Sequence, residues 1–167
     1  GTMLQAQGRN AEALHPLRQA AELLPEDEQV HSNLGLALAS VGELQEAEAA
    51  QRRAAQTRPD FAEAHYNLGN ILCAQGRTPE AEASYRHAVA LQPKFALAHC
   101  NLGNTLMNQG RLQEAEASYR AALALRPELV EARNNLGDTL RQLGRLREAE
   151  GAFRRALADR PDFAAAH

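Results

Sequence analysis

Apolar positions in residues 62–95 recur at helical spacing. Ala64, Leu68, Ile71 and Leu72, with Gln75 closing the stripe, follow the three-and-four step of one helix face. Gly76-Arg77 interrupts the stripe and puts glycine where a helix end needs a left-handed residue. Thr78-Pro79-Glu80 restarts it, because threonine suits an N-cap and proline the first helical position. A second stripe follows in Ala81, Tyr85, Ala88, Val89 and Leu91. Pro93 lacks a backbone N–H and stops that helix. The pattern predicts a helix, a short turn, a second helix and another short turn.

The same wording returns every 34 residues. Asn33-Leu34-Gly35, Asn67-Leu68-Gly69, Asn101-Leu102-Gly103 and Asn135-Leu136-Gly137 stand one period apart. So do Gly8, Gly42, Gly76, Gly110 and Gly144, and likewise Pro25, Pro59, Pro93, Pro127 and Pro161. A fixed period of this length predicts stacked helix pairs, an all-α solenoid. Complete repeats fall at 28–61, 62–95, 96–129 and 130–163, with helices near 29–41 and 45–57, 96–109 and 113–125, and 130–143 and 147–158. Residues 1–27 form a partial repeat, expected to hold the end of one first helix and a whole second helix, Ala11 to Leu24; residues 164–167 begin another unit. The expectation is one array over 1–167. Neither end reads as a polar cap, so the chain looks like a piece of a longer array or one that stacks head to tail on itself.

Composition narrows the chemistry. Hydrophobic residues make up 44% of the chain but aromatics only 4%, and tryptophan is absent. The apolar mass is Ala and Leu, which suits close helix packing. The net charge of −3 makes no electrostatic case for nucleic acid. Residues 1–83 carry six arginines against twelve acids, whereas 84–167 carry eleven arginines and Lys94 against nine acids. No apolar run reaches the roughly 18 residues of a membrane span. Cys73 and Cys100 show no metal-binding spacing and read as free thiols, which favours a reducing, cytoplasmic compartment. No phosphate loop or nucleophile–base motif is present, so no catalytic residue and no cofactor is assigned.

Leu68-Gly69, Leu72, Ala81, Tyr85, Ala88 and Pro93 resemble the tetratricopeptide-repeat signature, in register over essentially the whole chain. Two departures stand out. His31, His65, His99 and Arg133 replace a bulky residue early in the first helix, and Gln51 stands where Tyr85, Tyr119 and Phe153 stand in the other units. The resemblance implies a right-handed superhelix, with first helices on the concave face and second helices on the convex face. The wording is also similar to the repeats that precede the catalytic part of O-linked N-acetylglucosamine transferases, where an inner asparagine ladder holds the backbone of extended protein segments. Asn33, Asn67, Asn101 and Asn135 match that ladder.

A row of amides offers donors and acceptors to an extended backbone whatever its side chains. Asn70, Asn104 and Asp138 flank the ladder on the same helix face, with Leu36 breaking the series. Tyr66, Cys100, Asn134, Met107, Asn108 and Arg141 are further groove candidates. A clamp for a terminal carboxylate is disfavoured: the one lysine is Lys94, and Ser32, Tyr66, Cys100 and Asn134 hold the places where a clamp needs lysine. The His31, His65, His99 row is read as packing, not metal binding, because no second ligand lies one turn away. Arg18, Arg52, Arg86, Arg120 and Arg154 are read as a solvated face, the last four paired with Glu48, Glu82, Glu116 and Glu150 four residues earlier. The expected function is binding of an extended polypeptide, with self-association through the ends as the alternative. As part of a longer protein, the resemblance implies recruitment of substrates to an attached catalytic domain such as a glycosyltransferase.

Overall fold

The computed structural model describes the backbone of residues 2–159 and the side chains of residues 13–157. Pro161 and the expected repeat start at 164–167 lie outside the described residues. Those described form nine helices and no strand. They are α1 (Thr2–Leu23), α2 (Glu28–Ser40), α3 (Leu44–Thr57), α4 (Ala62–Ala74), α5 (Thr78–Leu91), α6 (Ala96–Asn108), α7 (Leu112–Leu125), α8 (Val130–Gln142) and α9 (Leu146–Asp159). The chain divides into two compact units, residues 1–91 and 92–167.

Each hairpin turn is made by one glycine. Gly42, Gly76, Gly110 and Gly144 have φ between 74° and 86°, a left-handed conformation that costs glycine nothing. At Gly76 the glycine N–H donates to the Cys73 carbonyl at 3.0 Å and the Arg77 N–H to the Leu72 carbonyl at 2.9 Å. This double bond pattern closes the end of α4. The next helix begins at once: Ala81 N–H donates to the Arg77 carbonyl at 3.0 Å. Arg77 is therefore the N-cap and Thr78 the first helical residue, one position earlier than expected. The helix end uses Arg77 twice, as last residue of one cap and first of the other. Its guanidinium then reaches Glu80 in the first turn at 2.5 Å, and Arg111–Glu114 and Arg145–Glu148 repeat the pair at 2.7 and 2.6 Å.

α1 departs from expectation. It runs unbroken through Gly8, with Pro16 inside it. Glycine permits a left-handed turn but does not demand one. Residues 2–7 precede Gly8 in the same helix.

In the first unit α2 pairs with α3 and α4 with α5, while α1 packs on α2 and α3 on α4. Leu38, Ala47, Ala50 and Ile71 form one core, with Leu14, Leu34 and Leu44 packed against it. In the second unit α6 pairs with α7 and α8 with α9, and α7 packs on α8. Tyr119, Leu106, Ala115, Ala122 and Leu140 are buried there. Helix glycines set the closeness of each pair. A Cβ on Gly103 would lie 2.6 Å from Tyr119 Cε1, and one on Gly137 2.6 Å from Phe153 Cε1.

Candidate functional site

The ladder asparagines sit on the first helix of each pair, one residue before a buried leucine. Leu68, Leu102 and Leu136 point into the core, so Asn67, Asn101 and Asn135, about 100° away round the helix, lie at its edge and are half-buried. Asn33 is exposed, and its side chain has no partner among the described residues. In the first unit Asn67 Nδ2–H donates to Ser32 Oγ over a long 3.4 Å. In the second, Asn135 Nδ2–H donates to Asn104 Oδ1 at 2.8 Å. Asn135 thus uses its amide within the fold, at Asn104 and beside the Tyr119 hydroxyl.

The flanking row has a structural partner that the sequence reading missed. Tyr85 hydroxyl donates to Asn70 Oδ1 at 2.9 Å and Tyr119 hydroxyl to Asn104 Oδ1 at 2.8 Å. Both tyrosines are buried core residues, as their spacing predicted. Asn104 Nδ2–H also reaches Glu131 Oε1 at 3.2 Å, so Asn104 joins Tyr119, Asn135 and Glu131. Asp138 is tied to Arg141 at 3.1 Å on its own helix. The columns vary together. Leu36 replaces the asparagine where Gln51 replaces the tyrosine, and Asp138 replaces it where Phe153 brings no hydroxyl.

One groove expectation needs correction. Cys100 is buried, 3% exposed, and Ser32 is buried with it. Ser32 meets the adjacent helix, where its hydroxyl accepts from Asn67. Burial, helped by the Glu131 charge, pushes the Cys100 thiol up to about 11. Tyr66 and Asn134 are half-buried, and Arg141, Asn108 and Cys73 are exposed.

The arginine face is also less simple than a solvated row. The pairs are made, Arg52–Glu48 at 2.8 Å, Arg86–Glu82 at 2.9 Å and Arg120–Glu116 at 2.5 Å. Yet Glu48 is only 14% exposed and Glu116 9%, and each takes a second arginine from the following turn, Arg77 or Arg145, at 2.6 Å. Burial alone would raise the Glu48 carboxyl, but Arg52, Gln75 and Arg77 together hold it below the usual range. These carboxylates tie successive helix pairs together. Where Glu43 stands in the place of Arg77, Arg18 of α1 reaches across to Glu43 and Glu46 at 2.9 and 2.8 Å.

The histidine row is structural. His31 and His99 bond the Pro25 and Pro93 carbonyls through Nε2 at 2.9 Å, and His65 the Pro59 carbonyl at 3.3 Å. Arg133, which takes the histidine's place, donates to the Pro127 carbonyl. A carbonyl only accepts, so these rings carry the proton on Nε2. His65 stacks on His87 with centroids 4.2 Å apart, and burial followed by the His87 charge holds it below the ordinary histidine range. No cluster of three metal-ligating side chains occurs among the described residues. No helix among them is long and apolar enough to cross a membrane.

Comparison with known proteins places the fold. Over 96% of this chain and 94% of the other, it superposes on the crystal structure of MamA with a TM-score of 0.85 at 21% identity. MamA 41-end from Desulfovibrio magneticus RS-1 gives 0.80 at 23% identity, over 94% of this chain and 92% of that one. MamA AMB-1 gives 0.75 at 26% identity, over 89% and 81%. No protein of curated function matches the chain. The fold is an all-α helical-repeat solenoid. A sequence model described as Tetratricopeptide repeat matches residues 1–60 and 100–167, a second of that description residues 51–83, and one described as TPR repeat residues 69–110. Matched over most of its length, the chain belongs to the tetratricopeptide-repeat family of protein-interaction modules.

Proposed function

We propose that the first-helix faces bind an extended polypeptide through its backbone. Asn33 and Asn67 serve in the first unit and Asn101 and Asn135 in the second, with Asn70, Asn104 and Asp138 beside them. The observation that carries this reading is the amide at one register of each described first helix, exposed at Asn33, where no side-chain bond ties it to the fold among the described residues. Asparagine is a poor helix former, and Asn33 contributes no bond to the fold that would explain its presence. Backbone-directed amides predict broad sequence tolerance. The interaction is with protein, and the chain need not itself be an enzyme. In a longer protein it would present segments to an attached domain.

The test is an unbiased library of extended peptides against wild type and an Asn33→Ala, Asn67→Ala, Asn101→Ala triple variant, with both shown to be folded by circular dichroism. Peptides retained by wild type and lost by the variant support the ladder. Equal binding by both proteins would make the ladder a packing feature.

A second reading is self-association. Leu146 and Leu157 of α9 are 64% and 49% exposed, whereas Leu44 and Ala55 at the same places in α3 are half-buried against cores. A second copy stacked on α9 would cover them. Sedimentation over a hundredfold concentration range tests it: a single concentration-independent monomer mass would reject this reading.

A further inference from the structure

A groove recurs on the second-helix side at one register of the repeat. In the second unit it lies between α7, α8 and α9 and encloses about 360 Å³. Its apolar floor is Leu123, Leu136, Leu140 and Ala152, and its rim carries Arg120, Arg133, Arg155 and Glu148. The first unit has the counterpart between α1, α2 and α3, about 420 Å³, with Leu34 and Leu38 on the floor and Arg18, His31, Glu46 and Arg53 around it. Each of these residues stands 102 positions before its equivalent. In α4 and α5 the equivalents of His31 and Arg53 are His65 and His87, and their stacked rings sit over this place. Volumes of this size fall in the range of roughly 300–1,000 Å³ of ligand sites.

The two grooves share a shape and differ in charge. In the first, Arg53 pairs with Glu26 at 2.8 Å, and Arg18 with Glu43 and Glu46 at 2.9 and 2.8 Å. Its guanidiniums are neutralised internally. In the second, Glu128 holds the place of Glu26 but pairs with Arg126 at 3.1 Å, and Arg145 holds the place of Glu43. Glu148 is drawn to Arg145 at 2.6 Å. Arg133 donates to the carbonyls of Pro127 and Arg155. Arg155 is exposed, and its guanidinium has no carboxylate partner among the described residues. Arg120 is paired with Glu116 at 2.5 Å and reaches Glu148 at 3.5 Å, so the excess positive charge over the apolar floor centres on Arg155.

We infer that the α7–α8–α9 groove docks a protein segment whose aliphatic side chains are flanked by carboxylates. The apolar side chains would enter over Leu136 and Leu140, and the carboxylates would take the fork of the Arg155 guanidinium with the Arg120 and Arg133 charges beside it. This site lies on different helix faces from the asparagine ladder and does not depend on it.

Gly151 supplies a clean block. A Cβ there meets nothing within 4 Å, so Gly151→Leu fills the groove without backbone strain and favours the helix. The probe is a fluorescein-labelled peptide, Gly-Ser-Asp-Leu-Leu-Glu-Ser-Gly, followed by anisotropy on the full chain. A Kd of about 10–100 μM is expected, weakened roughly tenfold or more in three cases: Gly151→Leu, Arg155→Gln, and a peptide whose acids are replaced by their amides. The Asn33→Ala, Asn101→Ala double variant should bind like wild type. Circular dichroism confirms that each variant is folded. Absence of saturable binding overturns the inference, as does unchanged binding by Gly151→Leu. Loss confined to the asparagine variant would also overturn it and would move the peptide to the first-helix face.

Discussion

The ring of Tyr85 occupies the space that a side chain at Gly69 would need: a Cβ on Gly69 would lie 2.5 Å from Tyr85 Cε1 and 2.7 Å from Cδ1. Tyr85 is 2% exposed and bonded through its hydroxyl to Asn70, so it has nowhere to retreat. Gly69→Ala should destabilise the protein by about 1–3 kcal/mol, the usual effect of overpacking a filled core. Gly151, also helical but facing open space, gives the opposite sign. Gly151→Ala should add about 0.5–1 kcal/mol through helix propensity alone. Urea unfolding of the two variants checks both, and a neutral Gly69→Ala would show that the helices separate without cost.

Gln51 is the weak member of the aromatic column. It is fully buried, its Nε2–H donates to the Ser32 carbonyl at 2.9 Å, and its Oε1 has no partner. A buried, unsatisfied acceptor costs about 1–3 kcal/mol. Gln51→Phe should restore the ring that Phe153 lays over Gly137 and raise stability by about 1 kcal/mol. Gln51→Tyr should gain less, because Leu36 stands where Asn70 accepts the Tyr85 hydroxyl. Denaturant midpoints of the two variants should rank Phe above Tyr; the reverse order would mean that the hydroxyl finds another acceptor.

Glu48 makes stability depend on acid. Burial opposes its charge, but Arg52, Gln75 and Arg77 prevail and lower its pKa from an ordinary 4.5. A carboxyl with a depressed folded-state pKa contributes fully above the unfolded value and loses that contribution as pH falls through the folded one. Thermal midpoints should therefore drop below about pH 4.5 more steeply in wild type than in Glu48→Gln. At pH 7 the variant should be less stable, because Arg52 and Arg77 lose their shared partner. Parallel curves from pH 7 to pH 3 would remove Glu48 as the source.

Much of this architecture was legible because each signal is local. The turn glycines, the prolines and the 34-residue spacing mark helix ends, and the second to ninth helices fall close to where the stripes put them. The misreadings concern pairs of residues that only packing brings together. Tyr85 and Asn70 are 15 residues apart and meet across a hairpin; Glu48 and Arg77 are 29 apart and meet between hairpins. Cys100 precedes Asn101 by one residue, and that 100° rotation buries it. The covariation of Leu36 with Gln51 and of Asp138 with Phe153 was present in the repeat columns. It acquires meaning only when the hydroxyl-to-amide bond is seen.

The same bonds separate the asparagines into two kinds. Asn104 accepts from Tyr119 and Asn135, both at 2.8 Å, and donates to Glu131 at 3.2 Å. Asn104→Ala would leave the buried Tyr119 hydroxyl without this acceptor and Asn135 without its partner. A loss of about 1–3 kcal/mol is expected from the stranded hydroxyl. Asn33 is exposed with no side-chain bond among the described residues. Its replacement by alanine should leave stability unchanged or raise it by a few tenths of a kcal/mol through helix propensity. Thermal unfolding of the two variants, read beside the peptide-binding assay, assigns each ladder position. A stable Asn33→Ala protein that has lost peptide would mark that amide as a contact residue. A destabilised Asn33→Ala would show that it holds the fold together, and the binding reading would then lose its least encumbered position.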